Sequence, residues 1–83
     1  MTQEEREALG RRIRQFRGFA LLTQEELAKA AGTTRKTVTL VENGYKQPNI
    51  DMLKGFCRTL GVDPNVLLGW NERPEAELAQ VES

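Results

Sequence analysis

Arg35, Lys36, Thr39 and Leu40 are the side chains of this sequence with the most to offer a large partner. If residues 34–43 form a helix, 100° per residue puts all four within an arc of about 140°. Val38 and Val41, three apart, then point the other way, into a core. Three of the four outward side chains can hydrogen-bond, and two of those are cationic. A DNA major groove admits one α-helix and displays donors, acceptors and thymine methyls, so this face is equipped to read it. An ordinary solvated helix face has the same composition, and on these residues alone it is the commoner meaning. Enzyme chemistry has no comparable set. The chain has no histidine and one cysteine, so zinc-site ligand sets are absent and nothing activates the thiol. No nucleophile–base pair or glycine-rich phosphate loop occurs either. No catalytic residue, cofactor, metal or small-molecule substrate is therefore expected.

The outward face matters only if the preceding residues hold it out. Residues 24–31 read as a short helix, Gly32-Thr33 as a tight turn, and 34–43 as the second rod. Thr23 caps the first rod, with Glu26 completing a capping box and Leu22 and Leu27 a hydrophobic staple. Ala28 permits close approach of the second helix, and Gly32 can take a left-handed conformation that a Cβ would penalise. Val38 and Val41 can pack on Leu27 and Ala31. Two steeply crossing helices result, the second pushed outward. Gln24, just inside the first rod, is either an ordinary first-turn residue or a phosphate ligand at a helix N-terminus.

The remaining elements read as supports. Residues 2 to about 19 form a helix, with Thr2 and Glu5 as a capping box and Leu9, Ile13, Phe16 and Ala20 as its core stripe. Arg11, Arg12 and Arg14 lie largely off that stripe and read as a solvated face, with one phosphate contact left open. Gly44 ends the outward helix, and residues 45–48 form a polar loop closed by Pro48. Lys46 and Gln47 in that loop suit either a phosphate backbone or water. Asn49 caps a helix over 50–60, with Leu53, Phe56, Cys57 and Leu60 buried and Gly61 after its end. Asp63 and Pro64 open a short fifth helix to about residue 68, where Val66 and Leu67 close the core. Trp70 either covers the core edge or supplies a dimer contact.

With 83 residues, the chain holds one domain over 1–70 and an acidic tail over 71–83. The tail is interrupted by Pro74, and either forms one or two helical turns over 75–81 or is disordered. The N-terminus is polar and acidic, no apolar run is long enough to span a bilayer, and the single cysteine suits a reducing cytoplasm. Net charge is zero, but its distribution is uneven. Residues 1–7 carry −2, residues 72–83 carry −3 and the body carries +5. A basic body with acidic ends can bind a polyanion, with weaker long-range attraction than a wholly basic domain.

Four stretches in one order carry a resemblance: TQEELAKAAGTT, the ENG after it, the proline after the loop, and LGVDPNVLLG. From about Ile13 to Leu68 the chain resembles the xenobiotic-response-element family of helix-turn-helix proteins, which includes phage repressors and Cro proteins. The resemblance implies an all-α, lambda-repressor-like five-helix bundle that binds double-stranded DNA as a homodimer on two-fold symmetric operators. It implies that Gln24 anchors a phosphate, that Arg35, Lys36 and Leu40 touch base edges, and that Thr34 and Thr37 lie near bases or phosphates. Asn43 and Lys46 match the backbone-clamping end of the third helix. Arg17 and Glu42 match a salt bridge orienting that helix, chiefly a structural role. Two positions depart from the family. Apolar residues near Ala20-Leu21 replace a loop glycine, and Leu40 stands where polar residues are frequent, suiting a thymine methyl rather than a hydrogen bond.

The function so implied is a sequence-specific transcription regulator, a repressor or dual controller. Its dimer contact falls on the fifth helix, Val66 and Trp70, with two recognition helices about 34–36 Å apart. The alternative is a protein-interaction module, an antitoxin or adaptor with a protein partner and secondary DNA binding. The zero net charge and acidic tail favour that alternative modestly.

Overall fold

The computed structural model describes residues 1–70. The expected tail over 71–83 lies outside them. Five helices follow in order: α1 Gln3–Phe19, α2 Gln24–Ala31, α3 Arg35–Glu42, α4 Ile50–Leu60 and α5 Pro64–Leu67. The fold is all-α, as the cap and periodicity signals imply.

Each helix starts where a short polar side chain satisfies an orphan backbone N–H. Thr2 Oγ1 accepts from Glu5 N at 3.1 Å, while Thr2 N donates to the Glu5 carboxylate at 2.8 Å. Thr23 and Glu26 form the same reciprocal box on α2 at 3.0 and 2.9 Å. Thr34, Asn49 and Asp63 cap α3, α4 and α5, and Pro64 occupies the first turn of α5. The third helix is one residue shorter at each end than expected, because Thr34 and Asn43 are its caps.

Leu9, Ile13, Leu27, Ala28, Val38, Val41, Phe56, Cys57 and Leu67 form one buried core. Burying each larger aliphatic or aromatic side chain contributes roughly 1.5–3 kcal/mol before entropy is counted. α3 packs on both α1 and α2, α4 packs on α2, and α5 closes α1 and α4 at the other end. Two glycines permit the closest approaches. A Cβ on Gly10 would strike the Val41 carbonyl oxygen at 2.5 Å and the Glu42 carbonyl oxygen, so α1 lies directly against the end of α3. A Cβ on Gly55 would meet the Ala31 carbonyl oxygen at 3.0 Å, fixing α4 against the end of α2.

Two core assignments need correction. Ala20 is exposed, because α1 ends at Phe19 and Ala20 caps it, so the helical spacing no longer aims it inward. Val66 is only half-buried and stays out of the core, while Leu67 is fully buried and Leu68 packs beside it. The four-residue α5 is too short for a helical stripe to place its side chains. At the α1–α2 connection Leu21 adopts φ +58°, the left-handed region, which glycine takes with least strain. No helix among the described residues is long and apolar enough to cross a membrane.

Candidate nucleic-acid interface

α3 is held at one end and open at the other. Glu42, its last residue, has a fully buried side chain (0% exposed). The carboxylate accepts hydrogen bonds from Arg17 Nε at 2.7 Å, Arg17 Nη2 at 3.1 Å and Gln24 Nε2 at 3.0 Å. Arg14 Nε adds a fourth contact, cationic like those of Arg17, at 3.6 Å. Arg17 also donates to the Leu22 carbonyl at 2.9 Å, joining the α1–α2 connection to the hub. Hydrogen bonding to Glu42 raises the Arg17 pKa above its ordinary value, against an opposing desolvation, so the guanidinium stays cationic. A buried carboxylate is tolerated only when its lone pairs are so satisfied, and removing one partner typically costs 3–5 kcal/mol.

Two residues after Glu42 the chain turns. Gly44 sits at φ +79° and is buried, and a Cβ there would strike Glu7 Cγ at 2.7 Å. Arg6 Nε donates to the Gly44 carbonyl at 3.2 Å. The loop carrying Lys46 thus starts from a point fixed against α1. Lys46 and Asn43 are both exposed, and Asn43 Oδ1 accepts from Arg14 Nη2 at 3.0 Å.

At the other end Arg35 and Lys36 are the first two residues of α3 and both are exposed. Among the described residues neither side chain has a hydrogen bond or ion pair. Thr34 caps the helix and donates to Thr37 Oγ1 at 3.0 Å. Leu40 is half-buried. Thr39 is placed differently from an outward reading residue. Its hydroxyl lies 3.0 Å from both Gln24 Oε1 and the Arg35 carbonyl oxygen. The Gln24 amide, reaching across from α2, covers it. Gln24 therefore joins both helices of the turn, and one N–H of its amide remains for another acceptor. A shallow cleft lined by Arg17, Thr23, Gln24, Glu25 and Arg35 lies at the start of α2.

Val66 and Trp70 belong to another part of the molecule. Trp70 is 60% exposed and lies near Met1, Ala8, Arg12 and Leu68, beside the N-terminal half of α1.

The geometry of a capped helix, a left-handed glycine and a second helix with an exposed cationic start has relatives. Residues 11–67 match the helix-turn-helix family. The chain belongs to the helix-turn-helix family, of the phage repressor and Cro type. An uncharacterised HTH-type transcriptional regulator from Archaeoglobus fulgidus is 46% identical over 47 residues, covering 57% of this chain and 67% of that protein. One from Methanothermobacter thermautotrophicus is 41% identical over 49 residues, covering 59% and 71%. Among solved structures, the clp gene regulator ClgR from C. glutamicum matches with TM-score 0.73 and 33% identity, over 77% of this chain and 82% of that one. The restriction-modification controller protein C.AhdI from Aeromonas hydrophila matches with TM-score 0.74 and 28% identity, over 78% and 94%. This helix-turn-helix protein is a DNA-binding transcription regulator, in a family of regulators rather than enzymes.

Three residues of the helix-turn-helix scaffold escape sequence reasoning. Arg14, read with its neighbours as a solvated face, touches Glu42 and Asn43. Arg6 holds the loop, and Gly10 sets the distance between α1 and α3. One signal was available for Gly10: a glycine inside a helical stripe costs about 1 kcal/mol against alanine, so its presence asks for a packing reason.

Proposed function

We propose that this helix-turn-helix protein is a sequence-specific repressor that binds a two-fold symmetric operator as a homodimer, with α3 in the major groove. The observation that carries the reading is the exposure of Arg35 and Lys36, adjacent and untethered, at the start of a helix whose far end is locked to α1. A guanidinium so placed suits the O6 and N7 acceptors of guanine, a contact that discriminates by roughly 1–3 kcal/mol. Leu40 suits a thymine methyl. Gln24, Thr34, Thr37, Thr39, Asn43 and Lys46 border the same face, where hydrogen bonds to phosphates set register without reading sequence. Val66 and Trp70 on the α5 side are proposed as the dimer contact, and the cytoplasm as the compartment.

Selection of bound duplexes from a random pool tests the reading. Arg35→Ala then flattens the preference at one position of each half-site, whereas Lys46→Ala weakens all duplexes alike. If both variants bind every duplex as the unaltered chain does, this face does not contact DNA.

A protein-binding role draws on a different observation. Phe19 and Leu21 are 76% and 88% exposed, and Phe19 meets Phe16 edge-on with ring centroids 6.2 Å apart. An adaptor or antitoxin would use such a surface with or without DNA. Retention of a protein partner by a Phe19→Ser, Leu21→Ser variant would count against it.

A further inference from the structure

Arg14 and Asn43 meet at the C-terminal end of α3. Arg14 Nη2 donates to Asn43 Oδ1 at 3.0 Å. A guanidinium has donors only, so the amide oxygen must face it. The Asn43 amide nitrogen, with its two N–H groups, is thereby turned away from Arg14, on an exposed residue. Charge points the same way. The buried Glu42 carboxylate already accepts two hydrogen bonds from Arg17 and lies 3.6 Å from Arg14. Two guanidiniums share one carboxylate, which leaves one positive charge in excess, and 57% of the Arg14 side chain is exposed. Lys46 is exposed on the adjoining loop. A helix C-terminus repels anions, so an anion-binding group there needs such an excess.

We infer that Arg14 is a positioning residue for DNA binding: it fixes the flip of the Asn43 amide so that both N–H groups face a backbone phosphate. The inference rests on the DNA-binding reading above and deepens it. The contact involves no base edge, so it acts equally on every sequence.

Asn43→Asp separates this role from a structural brace. Aspartate keeps an acceptor for Arg14 and strengthens the pair, but it has no donor and repels phosphate. Binding of the selected duplex is titrated between about 50 and 200 mM salt, with thermal melts in parallel. Asn43→Asp is expected to melt close to the unaltered chain, the stronger Arg14 pair offsetting an anion at a helix C-terminus. It should bind all duplexes roughly tenfold more weakly, with a salt slope shallower by about 1. Arg14→Gln should weaken the unaltered chain by a similar factor. In an Asn43→Ala background it should cost only about threefold, the effect of one lost charge, because the amide it orients is gone.

Asn43→Asp with unchanged affinity and slope would overturn the inference. So would Arg14→Gln with equal effects in both backgrounds. Failure of the underlying reading looks different: the unaltered chain prefers no duplex, or Arg35→Ala changes nothing. That result removes the proposed operator reading by α3 and this inference together, without reference to residues 14 and 43.

Discussion

The two ends of α3 follow opposite rules. At its start Arg35 and Lys36 are exposed and tied to nothing among the described residues. Seven residues after Arg35, Glu42 is buried and held by Arg17 and Gln24, with Arg14 adjacent. The backbone beyond it is pinned by Gly10 and Gly44 against α1. Long charged side chains lose rotamer entropy when they bind, so leaving them untethered is useful only if the rod beneath them does not move. The locked end supplies that rigidity. The direction of α3 is therefore set by α1 as well as by α2 and the turn that gives the motif its name.

The largest test of this contrast removes the lock. Arg17→Ala leaves the buried Glu42 carboxylate with Gln24 and the more distant Arg14, and should lower unfolding free energy by about 3–5 kcal/mol in a denaturant titration. A loss under about 1 kcal/mol would mean that the locked end is not locked. Next comes Gly10→Ala, whose methyl overlaps the Val41 and Glu42 carbonyls. Overpacking of about 1–3 kcal/mol cancels or exceeds the alanine helix-propensity gain of about 1, a net loss of up to about 2 kcal/mol. The same displacement of α3 should weaken DNA binding more than stability alone explains.

A change away from both ends serves as a control. Leu21 pays for a left-handed backbone at φ +58° while its side chain stays exposed. Leu21→Gly should raise stability by up to about 1 kcal/mol in a thermal melt and leave DNA preference untouched. At the open end Arg35→Ala should shift stability by less than about 0.5 kcal/mol while its binding preference collapses. A larger stability loss would show that the open end is braced after all. The smallest effect is at the other end of α1. Hydrogen bonds from Thr2, chiefly its backbone N–H, lower the Glu5 pKa from 4.5. That cap contribution is complete above about pH 4.5 and is lost as pH falls through the lowered folded value. Melts of Glu5→Gln against the unaltered chain between pH 7 and pH 3 should converge on the acid side.

What could be read in advance divides by range of interaction. Thr2, Thr23, Asn49 and Asp63 announce helix starts because a cap and the N–H it satisfies lie within three residues. Gly32 and Gly61, at φ +75° and +68°, announce helix ends for a similarly local reason. Arg35 and Lys36 were legible as an exposed pair, since among the described residues neither side chain has a hydrogen bond or ion pair. The Arg17–Glu42 pair came only from family likeness, because 25 residues separate the partners and no spacing rule joins them. Arg14, Arg6 and Gly10 have distant partners too, and no likeness pointed to them. The contact of Thr39 with Gln24 could not be read from angle alone: the wheel describes one helix, and the Gln24 amide arrives from another. The same limit explains Ala20, whose place on the wheel holds only while the helix continues.

Cys57 is the sole thiol of the chain, 7% exposed in the core beneath α4. Burial, aided by the charge of Asp63, keeps it protonated above its usual range. An alkylating reagent therefore meets a single site that reacts only when the interior breathes. Its labelling rate gives a native clock for opening events, and an operator fragment that closes on the protein should slow that clock.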